Sequence, residues 1–248
     1  MIKAILSLVM IVVGVALIIN NFVRISPESD KDSIGIVAHT IDQGLKARNT
    51  EFSIQMGAKL INLAMPDGFV DFRDSRIESI EQLYELQSNS ISSESALVLM
   101  GIDNKVVDFV KTNKGVKPKA TKLTMFYEKD SKTSIFTPEI LHKIEGAYKN
   151  NVLEFNKPSE YTELGVTVIE EELFQEKSEH PLYLMRITKR IIKSNSQEPY
   201  LTISCNSIVL VGGKAFHLQV EREYDSPKDV DVVIKVAKDW GDKLLSIN

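Results

Sequence analysis

Residues 201–224 read LTISCNSIVLVGGKAFHLQVEREY, two runs of alternating character joined by Gly212-Gly213. A period of two sends successive side chains to opposite faces of a strand. A two-residue Gly-Gly connection suits a hairpin, because the favoured tight turn needs positive φ, which glycine adopts freely. With that turn at the centre, Val211 stands opposite Lys214, Val209 opposite Phe216, Cys205 opposite Val220 and Leu201 opposite Tyr224. One face of the hairpin is then apolar, and the other carries Ser204, Asn206, His217, Gln219 and Glu221.

The apolar face needs a cover, and the chain supplies one immediately afterwards. Ser226-Pro227-Lys228-Asp229 is a helix start, with serine as cap, proline in the first turn and an aspartate near the positive end of the helix dipole. Val230, Val233, Ile234, Ala237, Trp240, Gly241 and Leu244 follow at three-, four- and seven-residue spacing, so an amphipathic helix packing on the sheet is expected.

Working further upstream, Gly165 to Phe174 and Pro181 to Ile192 read as two more strands around the polar turn Gln175 to Glu179. Lys122 to Tyr127 alternates around Leu123, Met125 and Tyr127, and Ala96 to Met100 reads as a buried strand. Phe52, Ile54 and Met56 alternate as a strand, Leu60 to Ala64 offers another, and Met65-Pro66-Asp67-Gly68-Phe69 forces a turn. Helices are expected at Ile34 to Leu45, at Ser75 to Leu86 with Ile77, Ile80 and Tyr84 on one side, and from Thr137-Pro138-Glu139 through Leu141, Ile144 and Tyr148 to about Lys149-Asn150-Asn151. The strands meander without βαβ alternation, which predicts an α+β fold with a largely antiparallel sheet packed by helices.

The N-terminus has a different character. Lys3 precedes an apolar run from Ala4 to Ile19, and Asn20 to Val23 complete enough helix to span a bilayer. A cleaved signal peptide with Gly14-Val15-Ala16 at its end is the alternative reading, but cutting there would leave Leu17, Ile18 and Ile19 as an apolar terminus. The division expected is therefore a signal anchor at 1–23, a linker with a short amphipathic helix at 24–49 and an exported domain at 50–248. Lys3 and the terminal amine lie before the segment, while Glu28, Asp30 and Asp32 dilute Arg24 and Lys31 after it, so the bulk of the chain is expected outside.

Composition narrows the partners. The net charge is −4, and the densest basic stretch, Lys111 to Lys122, contains no stacking aromatic, so nucleic acid is not an expected partner and a solvated loop is the expectation for that stretch. Cys205 is the single cysteine, which leaves no intramolecular disulfide. On the hairpin register it falls on the face opposite His217, so it is not expected to be a base-activated nucleophile.

His39, His142, His180 and His217 are scattered, and no paired-histidine motif stands in the chain. Glu170, Glu171 and Glu172 read as a solvated strand end, and the spacing of Asp67, Asp71 and Asp74 does not match a calcium loop. No glycine-rich phosphate loop and no serine-nucleophile elbow appears. The aromatic set Phe126, Tyr127, Phe136 and Tyr148 reads as core. The sequence therefore nominates no catalytic residue, metal ligand or cofactor, and offers Ser204, Asn206, His217, Gln219 and Glu221 as a contact surface.

Two stretches, Leu63-Ala64-Met65-Pro66-Asp67-Gly68-Phe69-Val70 and Ser207 to Lys214 with the following strand, Tyr224 and the helix around Trp240, resemble a family of uncharacterised exported bacterial proteins. The resemblance implies a bacterial envelope location and supplies no catalytic residues; the chain departs from it in Ala64 and Met65 before Pro66 and in its first segment. The expectation is a single-pass inner-membrane protein, N-terminus cytoplasmic and main domain periplasmic or extracellular, that binds another envelope protein or a small ligand without catalysis. Two alternatives are a small hydrolase or transferase assembling Asp67, His142, His180 or Glu170 only in three dimensions, and a carrier with an apolar cavity between sheet and closing helix.

Overall fold

A computed structural model describes residues 51–71, 95–112, 118–143, 159–161, 166–177, 183–194 and 197–248. The anchor, the linker helix, the Ser75–Leu86 helix, the end of the Thr137 helix with Tyr148, and His180 all lie outside these residues.

The strands are β1 (Glu51–Met56), β2 (Lys59–Ala64), β3 (Phe69–Asp71), β4 (Ser95–Asp103), β5 (Thr121–Glu128), β6 (Ser159–Tyr161), β7 (Val166–Lys177), β8 (Tyr183–Ser194), β9 (Gln197–Val211) and β10 (Lys214–Glu223). Helix α1 spans Asn104–Thr112 and helix α2 spans Pro227–Ser246, with a short 3-10 turn at Lys129–Lys132 and a helical run beginning at Pro138. Eight strands form one sheet in the order β3-β4-β5-β10-β9-β8-β7-β6, every pair antiparallel, while β1 and β2 form a separate hairpin. The α+β class and the antiparallel sheet agree with the sequence.

The central hairpin has the register read from Gly212-Gly213. Val211 pairs with Lys214, Val209 with Phe216 and Cys205 with Val220, and the Tyr224 N–H donates to the Leu201 carbonyl at 2.9 Å. Gly212 and Gly213 have φ of 58° and 78°, both in the left-handed region that a type I′ turn requires.

Ile203, Cys205, Val209, Phe216, Leu218 and Val220 share the face that α2 covers, joined from β5 by Leu123 and Met125. Val233, Ala237, Trp240 and Leu244 of α2 are all at most 1% exposed against them. Burying each large side chain of this kind contributes about 1.5–3 kcal/mol. The helix begins at Ser226 in a capping box with Asp229, as its sequence predicts. The β1–β2 hairpin lies against the same core through Met56, Ile61 and Leu63. Its β2 end is fastened to the helix: Trp240 Nε1 donates to the Ala64 carbonyl at 2.7 Å, and the Asn248 side chain both accepts from Asn62 N–H and donates to Asn62 carbonyl.

Two local expectations change. The Lys111–Lys122 stretch is not a solvated loop throughout. Helix α1 runs to Thr112; Lys119 pairs with Asp225 at 2.7 Å and Asp229 at 2.9 Å, and Lys122 lies 3.6 Å from Glu221. These lysines meet acids contributed by the far C-terminal part of the chain, a proximity local composition does not encode. Glu170, Glu171 and Glu172 are not a strand end but sit within β7, where Glu170 and Glu171 stand in register with Arg190 and Lys189 of β8. The β7–β8 ladder continues past them to Lys177 opposite Leu184, which makes these positions strand interior.

Candidate functional site

The second face of the sheet, away from α2, divides in two. Near the Gly212-Gly213 turn it is apolar: Ile208, Leu210 and Ala215 are buried with Leu141, and Phe136 packs beside them. Farther along it becomes polar, and the five residues nominated from sequence meet there. In register, Glu221 stands opposite Ser204, Gln219 opposite Asn206 and His217 opposite Ile208.

Their accessibility is unequal. Ser204, Gln219 and Glu221 are buried, at 0%, 5% and 7%, whereas Asn206 and His217 are half-buried. Asn206 Nδ2 donates to Ser204 Oγ at 3.2 Å, and Glu221 faces Lys122. Ser204, Gln219 and Glu221 are thus covered, and Asn206 and His217 remain the members that a partner can reach.

Strand β5 contributes what the sequence reading left out. His217 lies flat on Phe126, with ring centroids 4.7 Å apart and an interplanar angle of 2°. Glu128 Oε1 stands 3.9 Å from His217 Nε2, and Ser95 Oγ of β4 donates to Glu128 Oε2 at 2.8 Å. The signal for Phe126 was available: if Leu123, Met125 and Tyr127 face the core, Phe126 faces the other way. Glu128 and Ser95 carried no such signal, because they reach this place only through the β4–β5 and β5–β10 pairings.

Burial lowers the imidazole's proton affinity, and the nearby Glu128 carboxylate only partly opposes this, so His217 titrates below its ordinary value. Near neutral pH it is an uncharged ring, with one nitrogen able to donate and the other able to accept. The 3.9 Å separation is too long for a hydrogen bond to Glu128.

The linear order Ser95–Glu128–His217 differs from that of a nucleophile–base–acid relay, in which the imidazole lies between hydroxyl and carboxylate. Here the carboxylate is in the middle. Ser95 and His217 belong to β4 and β10, on either side of β5, so two inter-strand steps of about 4.8 Å separate their backbones. Such a group can hydrogen-bond and stack; it does not deprotonate the serine.

Other nominated chemistry is dispersed. Cys205 is fully buried on the α2 side, with its sulfur 4.0 Å from Ser207 Oγ, and the sheet separates it from His217. Asp67 is exposed in the β2–β3 turn and bonded by Lys243 Nζ at 2.9 Å; that hydrogen bond, with the lysine charge, lowers its proton affinity. Glu170 lies in β7, six inter-strand steps of about 4.8 Å from β3, so it and Asp67 do not share a site. His142 is exposed in the helical run after Pro138. Among the described residues no group of three or more His, Cys, Asp or Glu is arranged to hold a metal ion, and no helix is long and apolar enough to cross a membrane.

No known protein-family profile matches this chain, and no curated protein matches it.

Proposed function

We propose that this chain is a membrane-anchored protein of the bacterial envelope whose α+β domain is a non-enzymatic binding module on the exported side. The anchor rests on Lys3 and the apolar run Ala4–Ile19, and the bacterial envelope on the resemblance carried by Leu63–Val70 and Ser207–Lys214.

One observation carries the binding reading: a neutral, partly exposed imidazole stacked on Phe126, with Asn206 on the same sheet face and the Glu128 carboxylate standing between the serine and the histidine. Stacked aromatics beside amide donors and acceptors give a partner apolar contact area and directional hydrogen bonds at low entropic cost. An envelope protein is the partner this surface suits. The carrier alternative receives less support, because Val233, Ala237, Trp240 and Leu244 fill the space between α2 and the sheet.

The test is cross-linking of the full-length chain in intact membranes of its host, with identification of what co-purifies and of its own N-terminal peptide. The expected result is one specific envelope partner, residues 1–23 retained, and loss of that partner in Asn206→Arg and His217→Ala while the circular dichroism spectrum is unchanged. Partner capture that is indifferent to both substitutions would move the contact elsewhere. A Cys205→Ser variant that folds but loses function would overturn the non-catalytic reading.

A further inference from the structure

At the turn end of the sheet an isoleucine is held out into solvent by a tightly tied loop. Thr133 and Ser134 N–H both donate to the Asp130 carbonyl at 3.3 Å, and Ser134 Oγ donates to it at 3.0 Å. Buried Lys214 donates from Nζ to the carbonyls of Lys132 at 2.8 Å and Ser134 at 2.6 Å, while Phe136 N–H donates to Gly213 carbonyl at 2.9 Å. Between these ties Ile135 is 72% exposed.

The same end gathers cations. A Cβ on Gly213 would lie 3.4 Å from Ile135 Cγ2 and 3.9 Å from Lys59 Nζ, so Lys59 and Ile135 flank one turn. Lys129 and Lys132 are exposed just before Ile135, with Asp130 the one acid in residues 129–136. Leu60, beside Lys59 at the tip of the β1–β2 hairpin, is 64% exposed. Leu60 and Ile135 are the two exposed large hydrophobics among the described residues; Ile135 shares the turn with Lys59, while Leu60, next in the strand, faces the other way.

We infer that this tip is a docking surface for an anionic lipid bilayer: Ile135 inserts between headgroups and Lys59, Lys129 and Lys132 meet lipid phosphates. The inference rests on the anchor reading for its source of membrane. Residues 24–49 give a linker of about 26 residues which, with the helix expected at Ile34 to Leu45, reaches up to roughly 65 Å, long enough for this tip to approach the bilayer that holds Ala4–Ile19. Tethering raises the effective concentration of the surface, so one apolar side chain and three cations suffice where a free domain would need more.

The experiment uses the full-length chain carrying Ile135→Cys and an environment-sensitive fluorophore; the buried Cys205 stays unlabelled in the folded protein. The protein is reconstituted into phosphatidylcholine vesicles with or without phosphatidylglycerol. A blue shift and quenching by spin-labelled lipid only in the anionic vesicles is the expected result, with a label at Asp239→Cys on α2 unaffected. Lys129→Gln should weaken the contact about five-fold, Lys129→Glu with Lys132→Glu should abolish it, and arginine at both positions should restore it. A chain that floats with the vesicles while the label at 135 stays unquenched, or is quenched equally by neutral lipid, overturns the docking surface and leaves the anchor standing. Quenching in anionic vesicles from a chain that a carbonate wash removes overturns the anchor and sustains the surface. A chain that neither floats nor is quenched overturns both.

Discussion

Asp229 is a heavily committed side chain at the start of α2. Its carboxylate receives Arg222 Nε and Lys119 Nζ, both at 2.9 Å, and the backbone N–H groups of Asp225 and Ser226, both at 3.0 Å. Burial alone would raise its proton affinity, but the hydrogen bonds from Lys119, Asp225, Arg222 and Ser226 outweigh it and hold the group well below the usual carboxylate range. Asp229→Ala therefore leaves half-buried Arg222 without its acid and Lys119 with Asp225 alone, and should cost about 3 kcal/mol in urea unfolding. Because the folded-state value is depressed, the stability this carboxylate contributes is complete above the ordinary value near 3.9 and is lost as pH falls through the lowered one. Acid titration of stability should be shallower in Asp229→Asn than in the parent; parallel curves would contradict the assignment. His217 obeys the same sign for a different reason. Its burial as a neutral ring is favourable above the free value of about 6.5 and becomes a penalty as acid is added. The stability difference between the parent and His217→Gln should then shrink between neutral pH and pH of about 5, as denaturant titrations at the two values would show.

Among the elements, the β1–β2 hairpin was legible as strands and illegible as a position. Phe52, Ile54 and Met56 alternate, so their strand could be read; that the pair leaves the main sheet and lies on α2's side depends on Ala64 meeting Trp240 and Asn62 meeting Asn248, contacts across more than a hundred and seventy residues. Gly57 marks the constraint on that placement. Its φ is 63°, and a Cβ there would lie 2.6 Å from the Lys132 carbonyl oxygen, a backbone atom that cannot swing aside. Gly57→Ala should destabilise by about 2 kcal/mol, combining left-handed strain with that clash; a change under half of this in thermal unfolding would show that the turn relaxes freely. The register of the β9–β10 hairpin was legible, because one Gly-Gly turn fixes every pair; its second face was legible only in part, since Ile208, Leu210 and Ala215 are covered there by Leu141 and Phe136 from a distant segment. His217's neighbours were not, since Phe126, Glu128 and Ser95 come from strands whose places beside β10 leave no local trace.

For the whole molecule, sheet order predicts how the fold comes apart. Strands β10 and β9 are flanked on both edges and covered by α2, whereas the β1–β2 hairpin is a two-stranded unit held by its docking. Native-state amide exchange should show β1–β2 opening well before global unfolding, with the slowest amides in β10 and β9. Equal protection of both would mean that the hairpin is an inseparable part of the core. Trp240 has a further consequence. It is the chain's one tryptophan, it is fully buried, and its indole N–H is bound to the Ala64 carbonyl at the end of β2. The molecule thus carries its own optical gauge: emission from this single indole reads the seating of β1–β2 on α2, so a red shift in advance of any change in ellipticity would time the moment the hairpin lifts away.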